Sequence, residues 1–256
     1  MAATYKEKAI VLRAYDLGEA DRIVTLFTEG RGLARAVAKG IKRTGSKFGA
    51  RLEPFTLLNV ILHEGRNLDT VVQAEIINSH AAIREDYGKY LFGEAMLEMI
   101  EKSLQENQNI PRLFPALCVT LDVLDREVAN PALVLAAFDL KVCALIGYHP
   151  HLKQCLNCGR ETAGEKVWLS LIGGGVVCSN CRAGLDSLIP LAPATLALMN
   201  QLMTRDMAAI SSLDLNQALS SEVLSIAFRF SEAFLERPLR SRGIVFGYLE
   251  GRREGS

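Results

Sequence analysis

The stretch Ile23–Arg51, IVTLFTEGRGLARAVAKGIKRTGSKFGAR, decides how the chain begins to fold. Ile23–Thr28 is rich in β-branched and aromatic residues, and Leu33–Ala38 follows it after the turn sequence Glu29-Gly30-Arg31-Gly32. Two short apolar runs joined by a glycine-rich turn are typical of paired β-strands. The stretch therefore predicts two adjacent strands, followed by a long basic connection.

Further short strands are predicted on both sides of this pair, at Lys6–Tyr15, Phe55–Leu62 and Leu68–Ile77. Pro54 precedes one of them, and the turn Gly65-Arg66-Asn67 leads into the next. Five short strands within residues 1–80 leave no room for helical crossovers, which favours a small closed barrel. We predict a five-stranded OB-fold that binds nucleic acid over residues 1–80.

The residues from Arg31 to Arg51, called the basic segment below, carry the chemistry of this region. The chain has 29 basic and 29 acidic residues, yet this segment holds no Asp or Glu and these cations: Arg31, Arg35, Lys39, Lys42, Arg43, Lys47 and Arg51. Such a surface can follow the phosphates of a nucleic acid. The alternative is a solvated, flexible loop. Phe48, within the segment, either stacks on a base or belongs to the barrel core.

From about Ile83 the apolar residues repeat with a helical period. Helices are predicted over these ranges: 83–104, 113–128, 131–145, 193–209 and 215–235. Asn130 is an N-cap before Pro131, and Gly147 stops that helix. The predicted fold is α+β and multidomain, with a helical domain over 81–150 and 185–250 and an insertion over 151–184. Residues 251–256 are expected to be a frayed tail.

Four of the six cysteines form two C-x-x-C pairs, Cys155 with Cys158 and Cys178 with Cys181. This spacing lets both thiolates of a pair bind one ion, and four thiolates at about 2.3 Å form a closed tetrahedral zinc site. Gly159 and Gly173–Gly175 supply turns and room beside the metal. Because no position is left for water, we predict that Zn2+ has a structural role.

Other uses of these residues are less favoured. Free or redox-active thiols are the alternative, but no βαβ pattern surrounds the cysteine pairs. His149 and His151 lie close in sequence, although four cysteines already complete a zinc site. Cys118 and Cys143 lie on apolar helix faces and are expected in the core.

The common catalytic motifs do not occur in the sequence. It contains no P-loop, no G-x-S-x-G and no H-E-x-x-H, and the H-x-E of zinc deaminases is also missing. Carboxylate pairs such as Asp122 with Asp125 and Glu98 with Glu101 have the ordinary spacing of solvated helix charges. We therefore predict no catalytic residues and expect that the protein is not an enzyme.

The amino-terminal sequence and the hydropathy of the chain indicate its cellular location. The amino terminus MAATYKEKAIVL has no apolar signal core, and no apolar run reaches the length of a membrane span. With a mean hydropathy of only +0.15, the chain is expected in the cytoplasm.

Several short motifs together resemble one protein family. They are Lys8-Ala9-Ile10-Val11-Leu12-Arg13, Gly18-Glu19-Ala20-Asp21-Arg22-Ile23-Val24, and Lys39-Gly40 leading to Leu52-Glu53-Pro54-Phe55. With the order of barrel, helical domain and four-cysteine insertion, the chain resembles the RecO family of bacterial recombination mediators over nearly its full length. Beyond the cysteines the resemblance is limited to helical character.

The resemblance implies a non-enzymatic, nucleoid-associated factor in DNA repair after DNA damage and in homologous recombination. Such proteins bind single- and double-stranded DNA, anneal complementary strands and engage the C-terminal tail of the single-strand-binding protein through their helical domain. With their partner RecR they help to load the recombinase RecA. The family's basic barrel surface corresponds to the seven cations above, and its zinc ligands, which some members lack, correspond to the four paired cysteines.

Two hypotheses from other classes stay open at this point. One is a zinc-stabilised protein-interaction adaptor that does not bind DNA directly. The other is a nuclease or deaminase, against which the closed cysteine site and the missing acid/base motif argue.

Overall fold

The computed structural model describes residues 3–43, 46, 48–105 and 108–254, and the chain forms two compact units, Met1–Asp125 and Arg126–Ser256. The first unit contains the strands β1 (Thr4–Leu17), β2 (Asp21–Thr28), β3 (Gly32–Ala38), β4 (Leu57–His63) and β5 (Asp69–Asn78), and the helices α1 (Ala81–Glu85), α2 (Tyr87–Ser103) and α3 (Leu113–Asp125). The second contains the helices α4 (Pro131–Leu145), α5 (Pro193–Thr204), α6 (Met207–Ser211), α7 (Gln217–Leu235) and α8 (Arg240–Glu254), and the strands β6 (Val167–Ser170), β7 (Gly175–Val177) and β8 (Leu188–Leu191).

The strands of the first unit close into a barrel with the order β1-β2-β3-β5-β4. β1 pairs antiparallel with β4 over Thr4–Ile10 and with β2 from Ala9 onward, and a bulge between Val11 and Arg13 interrupts its ladder with β2. β3 and β5 pair in parallel at Ala36 with Asp69 and at Val37 with Thr70, which closes the barrel. This topology confirms the predicted OB-fold barrel.

Small and branched side chains from alternate strand positions fill the barrel, as the two-residue period of a strand requires. The buried cluster consists of Ala9, Val11, Val24, Leu26, Ala36, Ala38, Ile41, Phe48, Leu52, Leu58, Val60, Leu62, Val71 and Ala74. Phe48 and Leu52 come from the connection between β3 and β4, whose end forms a 3-10 turn at Gly49–Leu52. Burial of a phenylalanine is worth about 2–3 kcal/mol, so Phe48 anchors this connection to the barrel.

Helices α1 to α3 complete the first unit. The carboxylate of Asp86 caps α2 by accepting a hydrogen bond from the Lys89 amide, and Phe114 of α3 packs on Phe27 with ring centroids 5.5 Å apart. Buried His80 has a left-handed backbone, and its ring donates to the Phe55 carbonyl and contacts Asp122 at 3.0 Å. Asp122 therefore supports the junction between β5 and α1.

The second unit contains the predicted helices as α4, α5 and α7, but the predicted helix over 193–209 is divided, with α5 ending at Thr204 and the short α6 beginning at Met207. The side chain of Asn130 accepts a hydrogen bond from the Leu133 amide at the start of α4, and Gly147 follows the helix with a φ of +104°. Between the two cysteine pairs the chain forms a hairpin of β6 and β7. β8 adds to the other edge of β6, giving the order β7-β6-β8, which sequence analysis missed.

The carboxy-terminal end differs from the expectation of a frayed tail. α8 continues to Glu254, whereas Gly255 and Ser256 lie outside the described residues. Val245 and Leu249 of α8 are buried, and Arg242 forms an ion pair with Glu232 at 2.7 Å. These contacts stabilise the helix against the glycines within it.

The predicted division into a barrel domain (1–80), a helical domain (81–150 and 185–250) and an insertion (151–184) stays a prediction.

Among the described residues, no helix combines the length and the apolar character that crossing a membrane requires.

Candidate nucleic-acid interface and metal centre

The basic segment begins at the turn before β3, runs along β3 and continues into the connection to β4. Arg35 lies opposite Thr25 of β2 and precedes the core residue Ala36, so its side chain faces outward. After β3 the chain turns at Gly40, which has a φ of +68° and donates its amide hydrogen to Asp21 at 2.7 Å. The amide of Lys42 donates to the Ala20 carbonyl, so the start of the connection is fixed beside the tip of the β1–β2 hairpin.

The cation at the start of the segment is engaged by carboxylates. Arg31 forms an ion pair with Glu64 at 2.8 Å, lies 4.0 Å from Glu7 and places its guanidinium over the Tyr5 ring. The hydrogen bond from Arg31 lowers the pKa of the Glu64 carboxyl below its usual value. Arg31 therefore neutralises acids at its own end of the barrel.

A second engaged cation lies near the other end of β3. Lys42 donates to one oxygen of Asp16 at 2.8 Å, and Arg22 donates to the other at 3.0 Å. The hydrogen bond from Lys42, followed by that from Arg22, lowers the pKa of the Asp16 carboxyl. Arg22 also pairs with Glu53 at 2.8 Å. Lys42 thus shares one exposed carboxylate with a cation outside the segment.

The remaining described cations of the segment have a different environment. They are exposed and form no ion pair with any described carboxylate: Arg35, Lys39, Arg43 and Arg51. Lys47 lies outside the described residues. The segment therefore presents one group of unpaired cations and two cations that neighbouring acids neutralise. The assignment of all seven to DNA contacts stays a prediction.

The aromatic residue of the segment is part of the core. Phe48 is only 2% exposed and belongs to the buried barrel cluster. Its ring is therefore not available to a base, and the alternative in which Phe48 stacks on DNA is wrong. Its burial is consistent with the interior of a small barrel being filled by side chains.

The four paired cysteines meet at one point of the second unit. The sulfur atoms of Cys155, Cys158, Cys178 and Cys181 all lie within 4.8 Å of one another, and Cys158 and Cys178 are 3.9 Å apart. Four sulfurs at about 2.3 Å from a common tetrahedral metal would be separated by about 3.8 Å. The cluster therefore fits a four-coordinate metal ion.

The backbone around the cysteines holds them in this arrangement. Gly159 has a φ of +71° and donates its amide hydrogen to the Cys155 carbonyl, which closes the turn of the first pair. The Cys178 amide donates to the Cys155 sulfur at 3.4 Å and so joins the two pairs. Gly175 is required because a Cβ there would lie 2.7 Å from His151, whose backbone pairs with this strand.

The protonation of the sulfurs also suits a cation. Burial raises the pKa of Cys155, but hydrogen bonds from the amides of Cys158 and Cys178 outweigh it and lower the value to about 6. Hydrogen bonds with Cys178 and Cys158 raise the pKa of Cys181 to about 12, so this thiol keeps its proton when no metal is bound. A divalent ion would replace that proton and neutralise the thiolates.

The two nearby histidines are not part of this cluster. His149 and His151 are exposed, with ring centroids 5.9 Å apart, and the metal-ligand group found among the described residues consists of cysteines alone. Trp168, the single tryptophan of the chain, packs against the cysteines, and the guanidinium of Arg182 lies 4.3 Å from its ring centre. The packing of Trp168 was not predicted, and the only signal for it in the sequence is its position between the two cysteine pairs.

The carboxylates that pair with the basic segment were also missed. Asp16 and Glu64 lie outside the segment, in or next to other strands, and only the barrel register brings them to Lys42 and Arg31. The one indication in the sequence is that Glu64 lies directly before the predicted turn at Gly65-Arg66-Asn67.

Comparison with known proteins gives two family matches that together span most of the chain. A family described as "Recombination protein O N terminal" matches residues 1–80, and one described as "Recombination protein O C terminal" matches residues 84–243. The interval between them falls where the sequence changes from a strand pattern to a helical one.

The chain is also similar to curated proteins, each named DNA repair protein RecO. The relative from Thermobifida fusca (strain YX) is 45% identical over 204 residues, which cover 79% of this chain and 82% of the relative. The relative from Nocardioides sp. (strain ATCC BAA-499 / JS614) is 39% identical over 244 residues, covering 94% and 98%. The relative from Bifidobacterium longum (strain DJO10A) is 35% identical over 243 residues, also covering 94% and 98%.

Proposed function

We propose that this chain, which belongs to the RecO family of DNA repair proteins, binds single- and double-stranded DNA through its barrel and mediates homologous recombination without breaking covalent bonds. The observation that carries the proposal is the group of exposed cations on and after β3, Arg35, Lys39, Arg43 and Arg51, which no described carboxylate neutralises. Phosphates are the natural partners of such a group.

The same surface accounts for strand annealing. Contacts to phosphates leave the base edges of a single strand free to pair, and a cationic surface lowers the repulsion between two strands that approach each other. Arg31 and Lys42 contribute less because Glu64 and Asp16 compete with phosphate for them. DNA therefore contacts mainly the unpaired cations.

The proposed partners are the single-strand-binding protein, RecR and, indirectly, the recombinase RecA. The acidic C-terminal tail of the single-strand-binding protein would dock on the helical domain, while the barrel takes over the released DNA. The protein would thereby help to load the recombinase onto DNA that the single-strand-binding protein has coated. The expected location is the bacterial cytoplasm, in association with the nucleoid.

We propose zinc as the metal of the cysteine cluster. Four thiolates favour Zn2+ among common cellular metals, and they leave no open position for water or substrate. The ion would therefore stabilise the fold around Cys155, Cys158, Cys178 and Cys181 and have no part in chemistry. Metal analysis of protein purified without chelator should find about one zinc per chain.

The experiment that tests the main proposal is a titration of labelled single-stranded DNA, with and without the single-strand-binding protein, followed by an annealing assay with complementary strands. We expect binding, annealing, and retention of both activities when the DNA is coated. A single-strand-binding protein without its acidic tail is the matched control and should block annealing on coated DNA. Failure to bind bare single-stranded DNA at low salt would contradict the proposal.

One observation favours a second candidate, the zinc-stabilised protein-interaction adaptor without direct DNA binding. Ile172 at the tip of the β6–β7 hairpin is 87% exposed, and hydrogen bonds from Tyr148 to the carbonyls of Leu171 and Ile172 hold that tip in place. A side chain held in this exposed position is available for a protein contact, although single exposed apolar residues are also ordinary on protein surfaces. Capture of RecR or the single-strand-binding protein with no measurable DNA binding would favour the adaptor.

A further inference from the structure

The outer face of β1, β2 and β3 contains a row of apolar side chains near the tip of the β1–β2 hairpin. Tyr15 of β1 pairs with Ile23 of β2, and Ile23 pairs with Val37 of β3. Their neighbours along the strands, Val24 and Ala36 among them, belong to the barrel core. Since side chains alternate between the two faces of a strand, Tyr15, Ile23 and Val37 share the outer face.

The Tyr15 end of this row is open to solvent and Ile23 and Val37 are half-buried, whereas the opposite end of the same face is covered. Ile10 pairs with Phe27, and Phe27 with Leu33, and all three are buried, with Phe27 packed on Phe114 of α3. Tyr15, in contrast, is 49% exposed. Its phenol makes no hydrogen bond, ring contact or cation–π contact with another described residue.

Cations border the open row. In the adjacent row Arg13 pairs across the sheet with Thr25, and Thr25 with Arg35. Arg13 is bound to Glu101 at 2.6 Å, but Arg35 is exposed and has no described carboxylate partner. Exposed Lys39 follows directly after β3. An aromatic ring on an apolar floor therefore lies beside the unpaired part of the basic segment.

We propose that Tyr15 stacks on an unpaired base of a bound single strand, with Ile23 and Val37 as the apolar floor and Arg35 and Lys39 as phosphate contacts. This inference rests on the proposed function. It adds a physical reason why the protein would bind single-stranded DNA more tightly than duplex DNA. The faces of bases in a duplex are covered by their neighbours, whereas a single strand can place a base on an exposed ring. Tyr15 thus contributes to single-strand binding and the cations to both forms.

A protein partner would also use an apolar row, but the charge around it favours nucleic acid. Arg35 and Lys39 lie across β2 from Tyr15 and lack a described carboxylate partner, so they are available to the phosphates of a strand that crosses this face.

The first test compares Tyr15→Ala with Tyr15→Phe and with Tyr87→Ala, which truncates a 68% exposed tyrosine at the start of α2. For Tyr15→Ala we expect the dissociation constant for single-stranded DNA to rise about 5- to 30-fold, with the duplex value unchanged within two-fold. The salt dependence should stay the same because no charge is removed. Tyr15→Phe and Tyr87→Ala should bind like the parent protein.

The second test reports stacking itself. Tyr15→Trp is made in a Trp168→Phe background, which removes the single native tryptophan, with Tyr87→Trp in the same background as control. Single-stranded DNA should quench the fluorescence of the tryptophan at position 15, while duplex DNA and the control should give no comparable change.

The outcomes separate the two proposals. If the parent protein binds no single-stranded DNA, the proposed function fails. If the parent protein binds but Tyr15→Ala matches it and the tryptophan at position 15 is not quenched, the assignment of Tyr15 is overturned and DNA binding stands. Equal loss of single-stranded and duplex binding in Tyr15→Ala, or loss of a protein partner instead of DNA, also overturns the assignment.

Discussion

The cysteine cluster and the basic segment both gather like-charged groups, but the fold treats them in opposite ways. The cysteine sulfurs are brought together within 4.8 Å by turns and backbone hydrogen bonds, so each depends on the others. The cations are spread along β3 and its connection, and they differ in their partners, with Arg31 and Lys42 paired and Arg35 and Lys39 unpaired. A metal ion requires all four ligands at one point, whereas a DNA strand makes separate contacts along an extended surface. Loss of one or two cysteines should therefore disrupt the whole cluster, whereas each cation removed from the segment should weaken DNA binding by a further step.

The largest effect is expected at the cysteine cluster. Replacing Cys155 and Cys158 together by Ser should abolish zinc binding and lower the unfolding midpoint by about 10 °C, because metal affinity contributes directly to folding free energy. A thermal scan with metal analysis measures both. Cys118→Ser is the matched control, since Cys118 lies outside the cluster, and it should keep its zinc. A double variant as stable as the parent would show that the site is not structural.

The unpaired cations should give the next largest effect. Replacing Arg35 and Lys39 by Ala should weaken single-stranded DNA binding about 10-fold at low salt, because two phosphate contacts are lost. The matched control removes Lys6 and Lys8, which are exposed on β1 where it pairs with β4. That face also carries Glu75 beside Asn59, so its charge is mixed. Fluorescence anisotropy measures the affinity of each double variant for single-stranded DNA. An equal loss of affinity in the two variants would contradict the placement of DNA on β3.

A smaller change of opposite sign is expected at Asp16. Asp16→Asn should tighten DNA binding about two- to five-fold, because it releases Lys42 and Arg22 from a shared carboxylate. These two partners lower the pKa of Asp16 in the folded protein. The carboxylate therefore stays charged even at a pH equal to the ordinary pKa of an aspartate, and it protonates only at a lower pH. The effect of Asp16→Asn should therefore be the same at pH 5.5 and 7.5. Weaker binding by the variant would show that Asp16 positions Lys42 for DNA.

The smallest effect is expected at Arg31. Arg31→Ala should change single-stranded DNA affinity less than two-fold, since Glu64, Glu7 and the Tyr5 ring already engage its guanidinium. Glu64→Gln is the companion variant and should tighten binding slightly by freeing Arg31. A loss in Arg31→Ala as large as that in the Arg35 and Lys39 variant would remove the distinction between paired and unpaired cations.

The sequence alone predicted the features that depend on local pattern. Strand periodicity and turns gave the barrel, and the spacing of Cys155, Cys158, Cys178 and Cys181 gave the cluster, because these patterns act over a few residues. The comparison with known proteins then confirmed the family resemblance.

Features that depend on contacts between distant residues were not predicted. The pairing of Arg31 with Glu64 crosses 33 residues, and that of Lys42 with Asp16 crosses 26, so composition could not separate engaged from free cations. The burial of Phe48 depends on closure of the barrel. α8 was missed because its glycines suggest fraying, whereas burial of Val245 and Leu249 stabilises it.

The most direct test of the central claim is the salt dependence of single-stranded DNA binding in the parent protein and in a variant with Arg35, Lys39 and Arg43 replaced by Ala. Four unpaired cations predict that log affinity falls against log salt with a slope of about −3, and the triple variant should reduce it to about −1. A variant with Lys6, Lys8 and Arg66 replaced by Ala removes the same charge and should keep the parent slope. An unchanged slope in the first triple variant would show that the cations on and after β3 do not hold the DNA.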